Sequence, residues 1–147
     1  MILWREAVVA DVPAVVALLR DDVLGQGREL ADAARYEAAF RAMEAEGANH
    51  LVVGESAGQV VACYQITFIT GLSLSASRRA QIESLRVSSE LRGQGIGAVM
   101  IADAEARARA AGCSLMQFTS NQSRSAAHRF YERLGFTPSH IGYKKTL

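Results

Sequence analysis

Residues 92–98 read Arg92-Gly93-Gln94-Gly95-Ile96-Gly97-Ala98, three glycines alternating with other residues behind an arginine. Glycine lets backbone approach a ligand closely and takes up positive φ without a steric penalty. A periodic helical segment follows at once, and a helix start offers unpaired N–H groups and the positive end of a dipole. Together these make a site for an anion, most often a phosphate. The second half of the chain is therefore expected to bind a phosphorylated cofactor. A Walker-type loop needs Gly-Lys-Ser/Thr, which the chain lacks. A dinucleotide fingerprint fits formally, with Gly93, Gly95 and Ala98 in its G-x-G-x-x-A places. Its context is poor: Ser88 to Leu91 lengthen a connection which that motif keeps tight, and Gln117 to Gln122 offer no acidic side chain for a ribose. A flexible loop without a ligand is the bland alternative, disfavoured because three glycines weaken a helix start without a reason.

The elements that must hold this loop are bounded by bulk properties. The 147 residues suggest one domain, 1–147, with a single core. Half of them are hydrophobic and 21% are charged, an ordinary globular balance. A formal net charge of +1 gives no bulk electrostatic case for nucleic acid or a membrane surface. Cys63 and Cys113 are too few for a disulfide framework and fit a reducing, cytoplasmic setting. No cationic segment with a long apolar run opens the chain, and no apolar run approaches membrane-spanning length. No His/Cys/Asp/Glu cluster has metal-ligand spacing.

Ile2 to Ala7 is a short strand candidate. Asp11 is placed to cap a helix with Pro13 in its first turn, running on through Val15, Val16, Leu18 and Leu19. Residues 21–32 are polar with two glycines and read as a loop, and Ala33 to Glu46 as a helix stopped by Gly47. Leu51 to Glu55 and Gln59 to Ile69 are β-rich and joined by Ser56-Ala57-Gly58 as a hairpin. A serine-rich loop, 70–79, precedes a strand from Ala80 to Val87. After the glycine loop a helix runs to about Ala111, closed by Gly112. Its apolar face begins at Ile96, Val99 and Met100, and Asp103–Arg107 and Glu105–Arg109 pair on its polar side. Ser114 to Thr119 is a strand, Ser125 to Leu134 a helix capped by Gly135, and Ile141 to Thr146 a last strand. The order β-α-α-β-β-β-α-β-α-β implies a mixed α+β fold. Its sheet is mixed and mostly antiparallel, with about four helices around it and one parallel strand-helix-strand unit in the second half.

Two motifs at matched spacing carry a family resemblance. Arg92-x-x-Gly95-x-Gly97 resembles the pyrophosphate loop of the GCN5-related N-acetyltransferase (GNAT) superfamily, preceded by the strand Gln81-Ile82-Glu83-Ser84-Leu85-Arg86-Val87. Ala126-Ala127-His128-Arg129-Phe130-Tyr131-Glu132-Arg133-Leu134-Gly135-Phe136 resembles the family's last helix and its Tyr-Glu-x-Leu-Gly-Phe ending. The strong part covers residues 80–136. Serines at 88 and 89 stand where the family often has a proline, and Arg124 stands about where it often has an asparagine, with Asn121 three residues earlier.

The resemblance implies direct transfer of an acetyl group from acetyl-CoA to an amine. The amine must lose its proton, the thioester oxygen needs hydrogen-bond donors, and the leaving thiolate can take a proton. It makes Glu83 the general base, directly or through a water. By alternation Glu83 shares a face with Gln81, Leu85 and Val87, where apolar neighbours would raise its pKa; the rival is a solvated glutamate on a half-exposed strand. Leu85, Arg86 and Val87 would bond the pantetheine arm through their backbone, although a merely buried strand would show the same Leu and Val. Gly93, Gly95 and Gly97 would surround the pyrophosphate with N–H groups, Arg92 would add charge, Gln94 and Ile96 would contribute backbone, and Ala98 would keep the first turn slim. Asn121 and Ala126 are further cofactor contacts. Tyr131 is the candidate general acid, its phenol above a thiol in pKa, against the alternative of a core aromatic beside Phe130 and Phe136. His128 shares its helix face with Tyr131 and reads as surface or packing, as Cys63, Cys113, Met43 and Met100 do as packing. His50 and His140 have no partner in view. Loops 21–32 and 70–79 would flank the acceptor, where Arg28, Arg78 and Arg79 either attract a carboxylate or phosphate or are solvated surface groups. The implied acceptor is a primary amine of a small molecule, with a homodimer possible. The rivals are a non-catalytic acyl-CoA-binding module and acetylation of a protein or peptide amine.

Overall fold

Five strands form one sheet in the order β1-β2-β3-β4-β5 in the computed structural model, which describes residues 1–147 apart from the side chain of Val23. They are β1 (Leu3–Glu6), β2 (Asn49–Ser56), β3 (Gln59–Thr70), β4 (Arg78–Val87) and β5 (Leu115–Gln117). The first four pair antiparallel and β5 joins β4 in parallel. This is the expected mixed α+β architecture. The β2–β3 turn holds Ala57 and Gly58 at φ 50° and 77°, the two-residue turn whose twist matches the strands it joins.

The helices are α1 (Val12–Arg20), α2 (Val23–Arg28), α3 (Ala33–Glu46), α4 (Ser73–Ala76), α5 (Ile96–Ala110) and α6 (Ser125–Arg133). The chain falls into two units. Met1–Gln117 holds the sheet with α1 to α5, and Phe118–Leu147 holds α6.

Helix α1 covers one face of the sheet, where Val15 and Leu18 pack on Val53 and Cys63. Its neighbour α3 adds Phe40 against Val12 and Val16. Helix α5 covers the other face. There the Tyr64 hydroxyl, on a fully buried side chain, donates to the Asp103 carboxylate. Arg107 Nε donates to the same carboxylate at 2.8 Å, so the helix is pinned to the middle of the sheet.

Four expectations are corrected. Residues 21–32 are not all loop: Asp22 caps α2 by accepting the Gly25 N–H. Gly25 is required by close approach, because a Cβ there would lie 1.7 Å from the Leu19 carbonyl oxygen. Asp11 does not cap α1 with its side chain. Its carboxylate accepts the Val8 N–H at 2.8 Å and closes the preceding 3-10 turn. The apolar face of α5 runs through Met100, Ile101, Ala104 and Ala108, with Val99 turned outward at 53% exposure. Residues 141–146 form no strand; Ile141 and Tyr143 are 70% and 90% exposed, and with no face covered nothing fixes a register.

Candidate functional site

The site begins at a break in β4. Gln65 lies opposite Glu83 and Cys63 opposite Arg86, so Ser84 and Leu85 together oppose Tyr64. Ser84 has φ 55°. This is a β-bulge, one extra residue that bends its strand. It corrects the expected alternation. Directly opposed residues share a face, so Glu83 stands with Gln81 and Arg86 on the α1 face, and Val87 lies on the α5 face opposite Ala62. Glu83 is exposed rather than set among apolar groups, and no hydrogen bond or ion pair engages its carboxylate among the described residues.

Past Gln81 the far side of β4 has no strand against it. β5 pairs only through Leu115–Gln117 with Arg79–Gln81, so Glu83 to Val87 present main-chain groups at an open edge. Arg86 Nη1 donates to the Leu85 carbonyl at 2.9 Å, and Arg92 Nε to the Val87 carbonyl at 3.3 Å.

The glycine loop then leads into α5. Gly93 and Gly95 hold φ 79° and 80°, and a Cβ on either would meet nothing within 4 Å. Both are glycines because of their left-handed backbone, beside open space. Gly95 caps α5 without a side-chain bond. The first-turn N–H groups of Ile96, Gly97 and Ala98 therefore point out of the helix unpaired. Gln94 is exposed and its amide donates to the Glu90 carbonyl at 3.4 Å. A diphosphate suits this cradle on geometry and on dipole.

Both arginines expected beside the cofactor are engaged by consecutive aspartates at the end of α1. Arg92 donates to the Asp21 carbonyl and lies 3.7 Å from its carboxylate. Arg86 Nε is 3.1 Å from the Asp22 carboxylate. Asp21 also accepts the Ser89 N–H at 2.8 Å, the main reason its pKa is lowered.

Of the three arginines expected near an acceptor, Arg79 alone shares the face of Glu83. Arg78 lies on the α5 face, over the Phe68 ring at 5.5 Å and bonded to the Ala111 carbonyl at 3.2 Å. Arg28 is exposed and bonds the Leu24 carbonyl at 3.1 Å.

In the second unit, Tyr131 is half-buried with its ring 4.4 Å from Phe118, 5.3 Å from Phe130 and 6.1 Å from Phe136. Asn121 Oδ1 accepts the Ser123 N–H and hydroxyl at 3.0 and 2.7 Å, and its carbonyl meets His128 Nε2 at 2.9 Å. His128 thus ties the Asn121 turn to α6. Ala126 is exposed in the first turn of α6.

Sequence reasoning missed a polar network on the α1 face. Asn49 Oδ1 accepts from Gln65 at 2.8 Å and from Thr67 at 3.2 Å, while its Nδ2 donates to Glu46 at 2.7 Å. Gln117 donates to Gln81 at 2.9 Å and accepts from Arg79 at 3.3 Å. The available signal was a run of polar side chains, Gln65, Thr67 and Gln81, at alternate positions of strands otherwise rich in Val and Ile. His50, expected without a partner, lies 3.2 Å from Glu6.

The family model described as Acetyltransferase (GNAT) family matches residues 14–136. The aminoalkylphosphonate N-acetyltransferase of Salmonella typhimurium is 43% identical over 67 residues, which are 46% of this chain and 44% of that protein. The match therefore covers less than half the length of that curated relative. The crystal structure of a transcriptional regulator from Bacillus halodurans C-125 superposes at TM-score 0.95 and 39% identity over 100% of both chains. A glucosamine-6-phosphate N-acetyltransferase from Arabidopsis thaliana has the same fold, at TM-score 0.81 and 18% identity over 99% of this chain and 98% of its own.

Proposed function

The chain belongs to the acetyltransferase (GNAT) family, and we propose that it transfers the acetyl group of acetyl-CoA directly to a primary amine of a small molecule. The observation that carries this is the coincidence, in one unit, of the glycine cradle at α5 with the bulged, open edge of β4 and the exposed Glu83 beside it. In this reading the N–H groups of Gly93 to Ala98 hold the pyrophosphate, with Arg92 moving to it from Asp21. Leu85, Arg86 and Val87 bond the pantetheine arm through main chain, and Asn121 and Ala126 add contacts at α6. Glu83 takes a proton from the ammonium, directly or through a water. The amine nitrogen then bonds the acetyl carbon, the carbon–sulfur bond breaks, Tyr131 gives the departing thiolate a proton, and the second proton shed by the new amide nitrogen passes through solvent to restore the Tyr131 phenol.

Calorimetric titration with acetyl-CoA, beside Gly95→Asp, is the direct test. Folded wild type should bind in the micromolar range. The variant should not, since it sets a carboxylate in an anion site at φ 80°. With an accepted amine, Glu83→Gln should lower kcat by about 10²-fold or more and leave acetyl-CoA binding intact. Failure of folded wild type to bind acetyl-CoA overturns the proposal. Binding without turnover of any amine in a broad panel points instead to a non-catalytic acyl-CoA module.

A further inference from the structure

Arg79, Gln81 and Glu83 stand in a row on one face of β4, and Gln65 stands across from Glu83 on β3. We infer that this row selects an acceptor amine that also carries an anionic group, with Glu83 and Gln65 taking the ammonium end and Gln81 and Arg79 the anionic end. The inference rests on Glu83 meeting the amine.

The amides on this face are held in fixed orientations by their partners. Two chains of hydrogen bonds run along this face, and each starts from a charged side chain with only one role to play. A carboxylate can only accept, so Glu46 fixes the Asn49 NH₂ toward itself at 2.7 Å. The Asn49 oxygen is then turned to Gln65, which must donate its own NH₂ at 2.8 Å. That leaves the Gln65 oxygen as an acceptor with no hydrogen bond among the described residues, on the residue paired with Glu83 across the β3–β4 ladder. Two acceptor side chains thus belong to paired residues on one face of the sheet, which suits a primary ammonium with three N–H donors. The second chain runs the opposite way. A guanidinium can only donate, so Arg79 fixes the Gln117 oxygen toward itself at 3.3 Å. Gln117 must then donate its NH₂ to the Gln81 oxygen at 2.9 Å. The Gln81 NH₂ becomes the outward group, a donor. Arg79 also donates to Ser73 Oγ at 3.0 Å and keeps further N–H groups beyond these two bonds.

The face is therefore sorted, acceptors at one end and donors with a positive charge at the other. Gln81 and Glu83 are two strand positions apart, about 7 Å. This spacing matches a short aliphatic chain between an amine and a phosphonate, phosphate or carboxylate. A diamine of similar length would set its second ammonium against Arg79 and is disfavoured.

The experiment compares kcat/KM for 2-aminoethylphosphonate and 4-aminobutyrate with n-butylamine and 1,4-diaminobutane, at saturating acetyl-CoA. The anionic amines should be preferred over n-butylamine by about 10-fold or more, and the diamine should be the poorest. Arg79→Gln and Gln81→Leu should raise KM about 10-fold for the anionic amines and shift it far less for n-butylamine, so that the preference between them collapses. Arg79→Lys should restore part of the loss, which a purely structural role would not give. Gln65→Leu should raise KM for every amine. Equal use of anionic and neutral amines, or an Arg79→Gln enzyme whose preference is unaltered, overturns the inference while leaving amine acetylation standing. Acetyl-CoA binding with no amine turned over in wild type overturns the catalytic reading, and this assignment with it.

Discussion

Cys63 and Gln65 are two positions apart on β3 and share the α1 face of the sheet, yet their surroundings differ. Cys63 is wholly buried with Val53 beneath Val15 and Leu18. Burial pushes its thiol up to about 12, against a smaller opposing effect of Arg86. Gln65 is half-buried, bonded to Asn49 and set across from the exposed Glu83. The same ladder satisfies the main chain of both, so nothing in the backbone obliges the side chains to be alike. The boundary between the dry and polar regions falls where Ser84 bulges out of β4. What differs is cover: α1 lies over one region, and side chains that bond one another fill the second. A strand can thus build the core at one residue and face a ligand two residues later.

The largest expected effect comes from breaking the dry region. Leu18→Ala opens a cavity over Cys63 and Val53 and should lower stability by about 3 kcal/mol, read from urea denaturation with an unchanged m-value. Gln65→Leu, in the polar region, should change stability by less than about 1 kcal/mol, because Asn49 still accepts from Thr67 and donates to Glu46. Equal losses from the two substitutions would show the polar row to be a second core rather than a surface kept for a ligand.

A smaller effect sits at the edge of the dry region. Arg5 donates to Asp11 at 2.7 and 3.0 Å and to Glu55 at 3.0 and 2.8 Å, joining β1 and β2 to the start of α1. The hydrogen bond from Arg5, helped by the Val8 N–H and opposed by burial, lowers the pKa of Asp11. A lowered carboxylate contributes stability at neutral pH. That contribution declines as pH falls below the unfolded value near 4 and is gone beneath the folded one. Asp11→Asn should therefore destabilise by about 1–2 kcal/mol at pH 7, and the gap from wild type should shrink toward pH 3. A gap of the same size at both pH values would assign the loss to shape rather than charge.

Local signals made much of this legible in the sequence. The hairpin turn, the glycines closing α3 and α5, the glycine loop and the Asp103–Arg107 pair each involve residues within a few positions of one another, and each forms. Features that depend on distant partners were not legible. The bulge at Ser84 has no glycine or proline to mark it, and the residue it opposes, Tyr64, lies 20 residues away. The same Tyr64 takes Asp103 out of the solvent role its helix spacing implied. Gly25 reads as a loop residue until the Leu19 carbonyl is seen against it. On β4 the residues that share a face with Glu83 were not legible, because alternation fails across the bulge.

The finest probe of the comparison reads how often the dry region opens. Alkylation requires thiolate, and a thiol held at about 12 exposes only about one part in ten thousand as thiolate at pH 8, behind Val15 and Leu18. Cys113 is also raised by burial, opposed by Arg78, but is only half-buried. Iodoacetamide at pH 8, followed by peptide mass spectrometry, should label Cys113 first and reach Cys63 only through opening of the α1 face. Leu18→Ala should then speed Cys63 labelling well beyond that of wild type, whereas Gln65→Leu should leave it unchanged. Labelling of both cysteines at one rate in wild type would mean that α1 does not seal its half of the sheet, and the contrast between Cys63 and Gln65 would collapse.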